Sequence, residues 1–171
     1  GTTGDGQLMG LAVGGQMDPL PAAIMNFDFG SPDSFYASNL GITALVSQGI
    51  MINEQGRRFC SEGLPFQARS NAITAQAHYG TKTFRVASTT QLGKNADAIL
   101  EKLQPYIEKD WAHEASSLDE LAKWMDVPAD TLKAEVAQFN TFVDNKKDEM
   151  FNRPMAKATK VEGEKYYAIK H

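Results

Sequence analysis

Arg57 and Arg58 stand side by side, a carboxylate follows at Glu62, and a third arginine lies further along at Arg69. A guanidinium grips a carboxylate through two parallel N–H bonds, so such a run either fixes a turn by ion pairing or presents a clamp to an anion. For Arg58 and Glu62 an ion-pair or hydrogen-bonding role that fixes the local hairpin is favoured over chemistry. Arg69, shortly after Pro65 on a helical stretch, is a candidate anion clamp, and a solvated or cap-stabilising arginine fits the same pattern. Tyr36, in Asp33-Ser34-Phe35-Tyr36, could donate a proton or stack on a substrate, although tyrosine in an irregular segment also serves packing. Near the start, Gly4-Asp5-Gly6 places an acid between two residues whose backbone admits close neighbours. An acid capping a helical first turn would use the same three residues.

Other chemistry is poorly supplied. Cys60 is the single cysteine, so it closes no disulfide within the chain and builds no paired-thiol site; a small buried residue is the expectation. His78, His113 and His171 fall in no spacing that puts two ligands on one helical face, and no metal site is expected. The formal net charge of -4 gives no general attraction to nucleic acid or to an anionic membrane. No apolar run approaches the roughly 18 residues that would span a bilayer.

The elements that must position these residues follow from periodicity. Leu8, Leu11 and Ala12 sit at helical spacing behind Gly4-Asp5-Gly6, and Gly14-Gly15 stop that short helix. Residues 17–39 contain Pro19, Pro21 and Pro32 and show no clean period, which predicts an irregular segment. Ile50 to Asn53, a turn at Gly56, and a return over Arg57 to Cys60 predict a β-hairpin. After Pro65 the pattern predicts a helix to Gly80, and Thr83 to Ser88 then alternates as a strand. A helix over Ile99, Leu100, Leu103 and Ile107 is expected despite Pro105. Ser117-Leu118-Asp119-Glu120 reads as a capping box, and Leu132, Val136, Phe139 and Val143 form the apolar stripe of a helix entered at Pro128. Tyr166 to Ile169 is a last short strand. With 171 residues, few strands and no regular βαβ alternation, the class is α+β in one domain. No Gly-x-Gly-x-x-Gly links a strand to a helix, so the dinucleotide-binding fingerprint is absent.

Several stretches, in order, resemble the capping domain of the fumarate reductase and succinate dehydrogenase flavoprotein family. They are Thr3-Gly4-Asp5-Gly6 with the run to Ala12, Ile52-Asn53-Glu54-Gln55-Gly56-Arg57-Arg58-Phe59 with Glu62, and Leu118 to Ala122. Val127 to Leu132, Phe139 to Val143 and Tyr166 to Lys170 continue the set. The resemblance implies a small sheet with a hairpin packed against several helices, forming a cap inserted in a flavin-binding domain. Residues 1–171 would be that single cap, with 1–15 and 164–171 as its junctions; Gly1 to Gly6 reads as a cut within a larger protein. It implies FAD, held mainly by the FAD-binding domain of the same polypeptide, with Gly4, Asp5 and Gly6 touching the cofactor. Arg58 and Glu62 would stiffen the hairpin at the cleft, and Arg69 and Tyr36 are the candidate catalytic residues.

The implied reaction is reduction or formation of an activated carbon–carbon double bond in a small unsaturated substrate, by hydride transfer from or to flavin. The isolated chain would be inactive. Fumarate itself is disfavoured: Phe66 stands where the family's fumarate reductases carry an arginine, and Gly41 to Val46 lacks their Thr-Glu pair and following arginine. Ser61 also replaces the usual Asn of the hairpin motif. Two alternatives are a cap of ketosteroid-dehydrogenase type, with a bulkier apolar substrate, and a free-standing non-catalytic binding module. A bacterial enzyme is implied, in the cytoplasm or exported.

Overall fold

Among the described residues every strand pairs antiparallel in a four-stranded sheet of order β1-β2-β4-β3, where β1 is Ile50–Asn53, β2 Thr83–Ser88, β3 Ala112–Ala115 and β4 Tyr166–Lys170. The computed structural model describes residues 4–17, 48–78 and 80–171. Among the described residues six α-helices accompany the sheet: α1 (Asp5–Ala12), α2 (Phe66–His78), α3 (Thr89–Leu92), α4 (Ala96–Glu108), α5 (Leu118–Met125) and α6 (Ala129–Asp144). The class is α+β, as the sequence predicts.

Alternation along the strands divides the core between the two faces of the sheet. Ile50, Ile52, Phe84, Val86 and Ala168 pack on one side against Leu121, Met125, Leu132, Val136 and Phe139 of α5 and α6. Ala87, Tyr167 and Ile169 pack on the other against Ile99, Leu103 and Tyr106 of α4. A smaller cluster of Met51, Cys60 and Ile73 seats α2 beside β1. Glu120 and Ser117 do form a helix start, but shifted: Ser117 Oγ accepts the Glu120 N–H, while the Glu120 carboxylate accepts from the N–H and hydroxyl of Ser116.

Two expectations change. The hairpin's second limb is one bridge, Ile52 to Arg58, rather than a strand. Asn53 donates its N–H to the Arg57 carbonyl at 2.9 Å, but the Met51 N–H, next in line for the ladder, donates to Glu62 Oε1 at 2.9 Å instead. A carboxylate takes the place of a main-chain acceptor, and the chain leaves the sheet there. Conversely, β3 is a strand that Ala112-His113-Glu114-Ala115 does not announce, lacking β-branched or aromatic residues; its pairing with β4 imposes it. The irregular segment expected over 17–39, apart from Met17, lies outside the described residues.

Candidate functional site

The turn after β1 delivers Arg58 and Glu62 into a closed ion-pair network. Arg58 Nη2 lies 2.8 Å from both Glu62 Oε2 and Asp148 Oδ2, and Nε donates to Glu62 Oε1 at 3.0 Å. Arg153 reaches the same Glu62 Oε2 at 3.1 Å and also donates to the carbonyls of Gln48 and Gly49. The Arg58 and Glu62 side chains are fully buried. The Phe139 ring lies under both guanidiniums, 5.1 Å from Arg58 and 5.2 Å from Arg153, and Phe151 adds a second face 5.2 Å from Arg58. Burial pushes the Glu62 carboxyl up, yet the Arg58 hydrogen bonds and charge, with Arg153, outweigh it and hold the group below its ordinary range. The result joins β1, the turn and the segment after α6 into one unit in which the charges answer one another, while Arg58 Nη1 is buried without a hydrogen-bond partner.

Arg69 is buried on α2, and its Nη1 donates to the carbonyls of Leu64 at 3.0 Å and Glu62 at 3.3 Å. It thereby closes the turn that leads from the ion-pair network into the helix. Gly4 takes φ +82 at the head of α1 and Gly6 has open space around it; the Asp5 side chain is exposed and has no partner among the described residues. The structure does not bring Asp5 to Arg69 through any described contact. Tyr36 lies outside the described residues. Cys60 is buried against Met51, and burial, then Glu62, push its thiol up to about 12, so it stays protonated and unreactive.

Neither Arg85 nor His171 is singled out as a site residue by the sequence. Arg85 is fully buried in the middle of β2, opposite Met51 on β1 and Ile169 on β4. A charge between Phe84 and Val86 in the middle of a strand is the signal that could have found it. His171 continues β4, donating its N–H to the Thr83 carbonyl at 3.0 Å. Both its ring nitrogens are sealed from solvent and find no hydrogen-bond partner. Burial, then Arg85 and Arg69, hold its imidazole well below its usual titration and keep it neutral.

Among the described residues no group of His, Cys, Asp and Glu could hold a metal ion, and no helix is long and apolar enough to cross a membrane. Open space surrounds Gly6, and the described residues offer no glycine-rich strand-to-helix turn that cradles phosphates.

A family model described as FAD binding domain matches residues 1–171. Fumarate reductase (cytochrome) of Shewanella frigidimarina is 32% identical over 120 residues, covering 70% of this chain and 20% of that protein. Among solved structures, 3-ketosteroid delta1-dehydrogenase from Sterolibacterium denitrificans, in complex with 1,4-androstadiene-3,17-dione, matches with TM-score 0.68 and 18% identity, over 99% of this chain and 34% of that one. The solution NMR structure of a fumarate reductase flavoprotein subunit from Lactobacillus plantarum matches with TM-score 0.60 and 20% identity, over 91% of this chain and 94% of that one. The chain thus spans about a fifth of the curated relative's length, and the two solved structures show the shared fold.

Proposed function

The chain belongs to the FAD binding domain family, and from that membership we propose that residues 1–171 form the substrate-side cap of an FAD-dependent oxidoreductase. The observation that carries this reading is a mismatch of extent. The whole chain matches the family, yet it spans only 20% of the curated relative and its described residues lack a phosphate-cradling turn. On this reading the chain supplies the substrate side, and FAD is held mainly by the FAD-binding domain of the same polypeptide.

In this reading FAD supplies or accepts a hydride at an activated carbon–carbon double bond, and the substrate is a small molecule with that bond beside a carbonyl or carboxylate. The chain's own residues orient, enclose and exclude water. Gly4, Asp5 and Gly6 meet the cofactor's edge. The Arg58, Glu62, Asp148 and Arg153 network keeps the wall of the cleft rigid. Arg69, positioned by the Glu62 and Leu64 carbonyls, is the candidate substrate clamp, and Tyr36 the candidate proton donor. Fumarate is not the expected substrate, because Phe66 replaces the arginine that family fumarate reductases carry there.

The test uses the intact flavoprotein, its flavin reduced anaerobically and then mixed with α,β-unsaturated acids and ketones, a 3-ketosteroid among them. Reoxidation by at least one acceptor is expected. Its absence across the panel would remove the enzymatic reading. Separately, the 171-residue chain mixed with FAD and desalted should emerge colourless; stoichiometric retention of flavin would show that it is a cofactor-binding domain and not a cap.

A further inference from the structure

Arg69 does not set its own direction. Its Nη1 carries two hydrogens, and two carbonyls of the turn before α2 accept from it, Leu64 at 3.0 Å and Glu62 at 3.3 Å. A guanidinium is planar, so anchoring one nitrogen at two points orients the whole fork. The turn is closed by the Leu64 N–H, which donates to the Ser61 carbonyl at 3.2 Å. Whatever fixes residues 61–64 therefore fixes Arg69.

The segment after α6 bears on that turn in two ways. Arg153 Nη1 donates to Glu62 Oε2 at 3.1 Å and to the Gly49 carbonyl at 3.2 Å, which ties the Glu62 side chain to the entry of β1. Pro154 meanwhile presses on Gly63: a Cβ on that glycine would lie 2.8 Å from Pro154 Cδ and 3.6 Å from Arg153 Cγ. Gly63 is not among the left-handed glycines, so what it supplies is room. A proline ring is closed on the main chain and cannot swing aside. The turn is thus blocked from moving toward the segment by Pro154 and kept from moving away by the Glu62 ion pair.

We propose that Arg153 and Gly63 are positioning residues for Arg69, the Arg153-Pro154 segment holding the turn over 61–64 where Arg69 can grip a carboxylate of the substrate. The inference rests on the reading of Arg69 as the substrate clamp. It gives the ion-pair network a second role, in recognition as well as stability, and makes selection of an anionic acceptor depend on residues outside the clamp itself.

Crotonate is the probe, with crotonamide as its neutral isostere, each titrated into the oxidised intact flavoprotein and followed by the change in flavin absorbance. R69Q is expected to weaken crotonate by roughly tenfold or more, the worth of one hydrogen bond to a charged group, and to leave crotonamide within about twofold. G63A and R153Q should weaken crotonate several-fold and crotonamide hardly at all, and R153K, which keeps the charge beside Glu62, should recover part of the loss. Added to R69Q, R153Q should cost crotonate nothing more, because both act on one contact. Should G63A fold poorly, the ratio of the two probes in R153Q and R153K carries the comparison. Crotonate binding that is absent, or unchanged in R69Q, would remove the clamp and this inference with it. If R69Q weakens crotonate while G63A and R153Q leave it intact, or weaken both probes alike, the clamp stands and the positioning role is overturned.

Discussion

Glu62 receives both prongs of the Arg58 guanidinium, Nε to Oε1 at 3.0 Å and Nη2 to Oε2 at 2.8 Å, inside a part of the protein that water does not reach. The same carboxylate accepts the Met51 N–H and an Arg153 donor. A pair of this kind adds little over a well-packed apolar substitute, yet breaking it from one side leaves buried charge unanswered. Glu62→Gln is therefore expected to cost about 3–5 kcal/mol in urea unfolding, because two arginines lose their shared counter-charge. A loss below about 1 kcal/mol would mean that the network relaxes as a surface pair does.

That network also marks how far the sequence could be read. Arg58 and Glu62 were legible as an ion pair because four residues of a turn hold them together. Asp148 and Arg153 were not, since they arrive from beyond α6 and nothing local ties them to the turn. The stripe of Leu132, Val136 and Phe139 was legible because helical period needs no partner to be seen. The strand β3 and the approach of Arg85 to His171 depend on pairing across β2 and β4, which no window of sequence contains. The bridge at Arg58 in place of a strand shows a side chain overriding local propensity, with Glu62 capturing the Met51 N–H.

Acid should loosen the same unit. Burial raises the Glu62 and Asp148 carboxyls, but Arg58 brings both below their ordinary 4.5 and 3.8, with Arg153 adding to the effect at Glu62 and main-chain donors from Phe151 and Met150 at Asp148. A depressed folded-state pKa stabilises above the unfolded value and ceases to do so as pH falls through the folded one. Urea midpoints are thus expected to hold down to about pH 4.5 as far as these groups decide them, and to fall below it. D148N should shallow that decline; a variant with an unchanged acid limb would show that other groups govern it.

His171 acts at a higher pH. Burial, reinforced by Arg85 and Arg69, keeps its imidazole neutral well below 6.5 in the folded chain, while the unfolded chain takes up a proton near that value. The unfolded state then binds more protons, so stability falls as pH drops below 6.5, by up to about 1.4 kcal/mol per pH unit. In H171F that slope should vanish between about pH 6.5 and the onset of the carboxylate limb. If the slope survives in H171F, the imidazole is protonated in the folded protein and the assignment is wrong.

Gly56 offers a prediction with no charge in it. The turn residue sits at φ +76, and a Cβ there would meet the Pro128 carbonyl and Thr131 Cβ at 3.3 Å and the Leu132 nitrogen at 3.2 Å, at the first turn of α6. Left-handed backbone strains any residue with a side chain, and these contacts are main-chain atoms or a β-carbon that cannot swing aside. Gly56→Ala is expected to cost about 1–3 kcal/mol, and since the turn precedes Arg58, to disturb the ion-pair network as well. Gly10→Ala is the control: open space surrounds Gly10 within α1, and the change should leave unfolding unaltered while raising helix content slightly. Equal stability of the two variants in urea would mean that the turn shifts off α6 without cost, and that the close approach to Pro128 and Leu132 does not hold the hairpin in place.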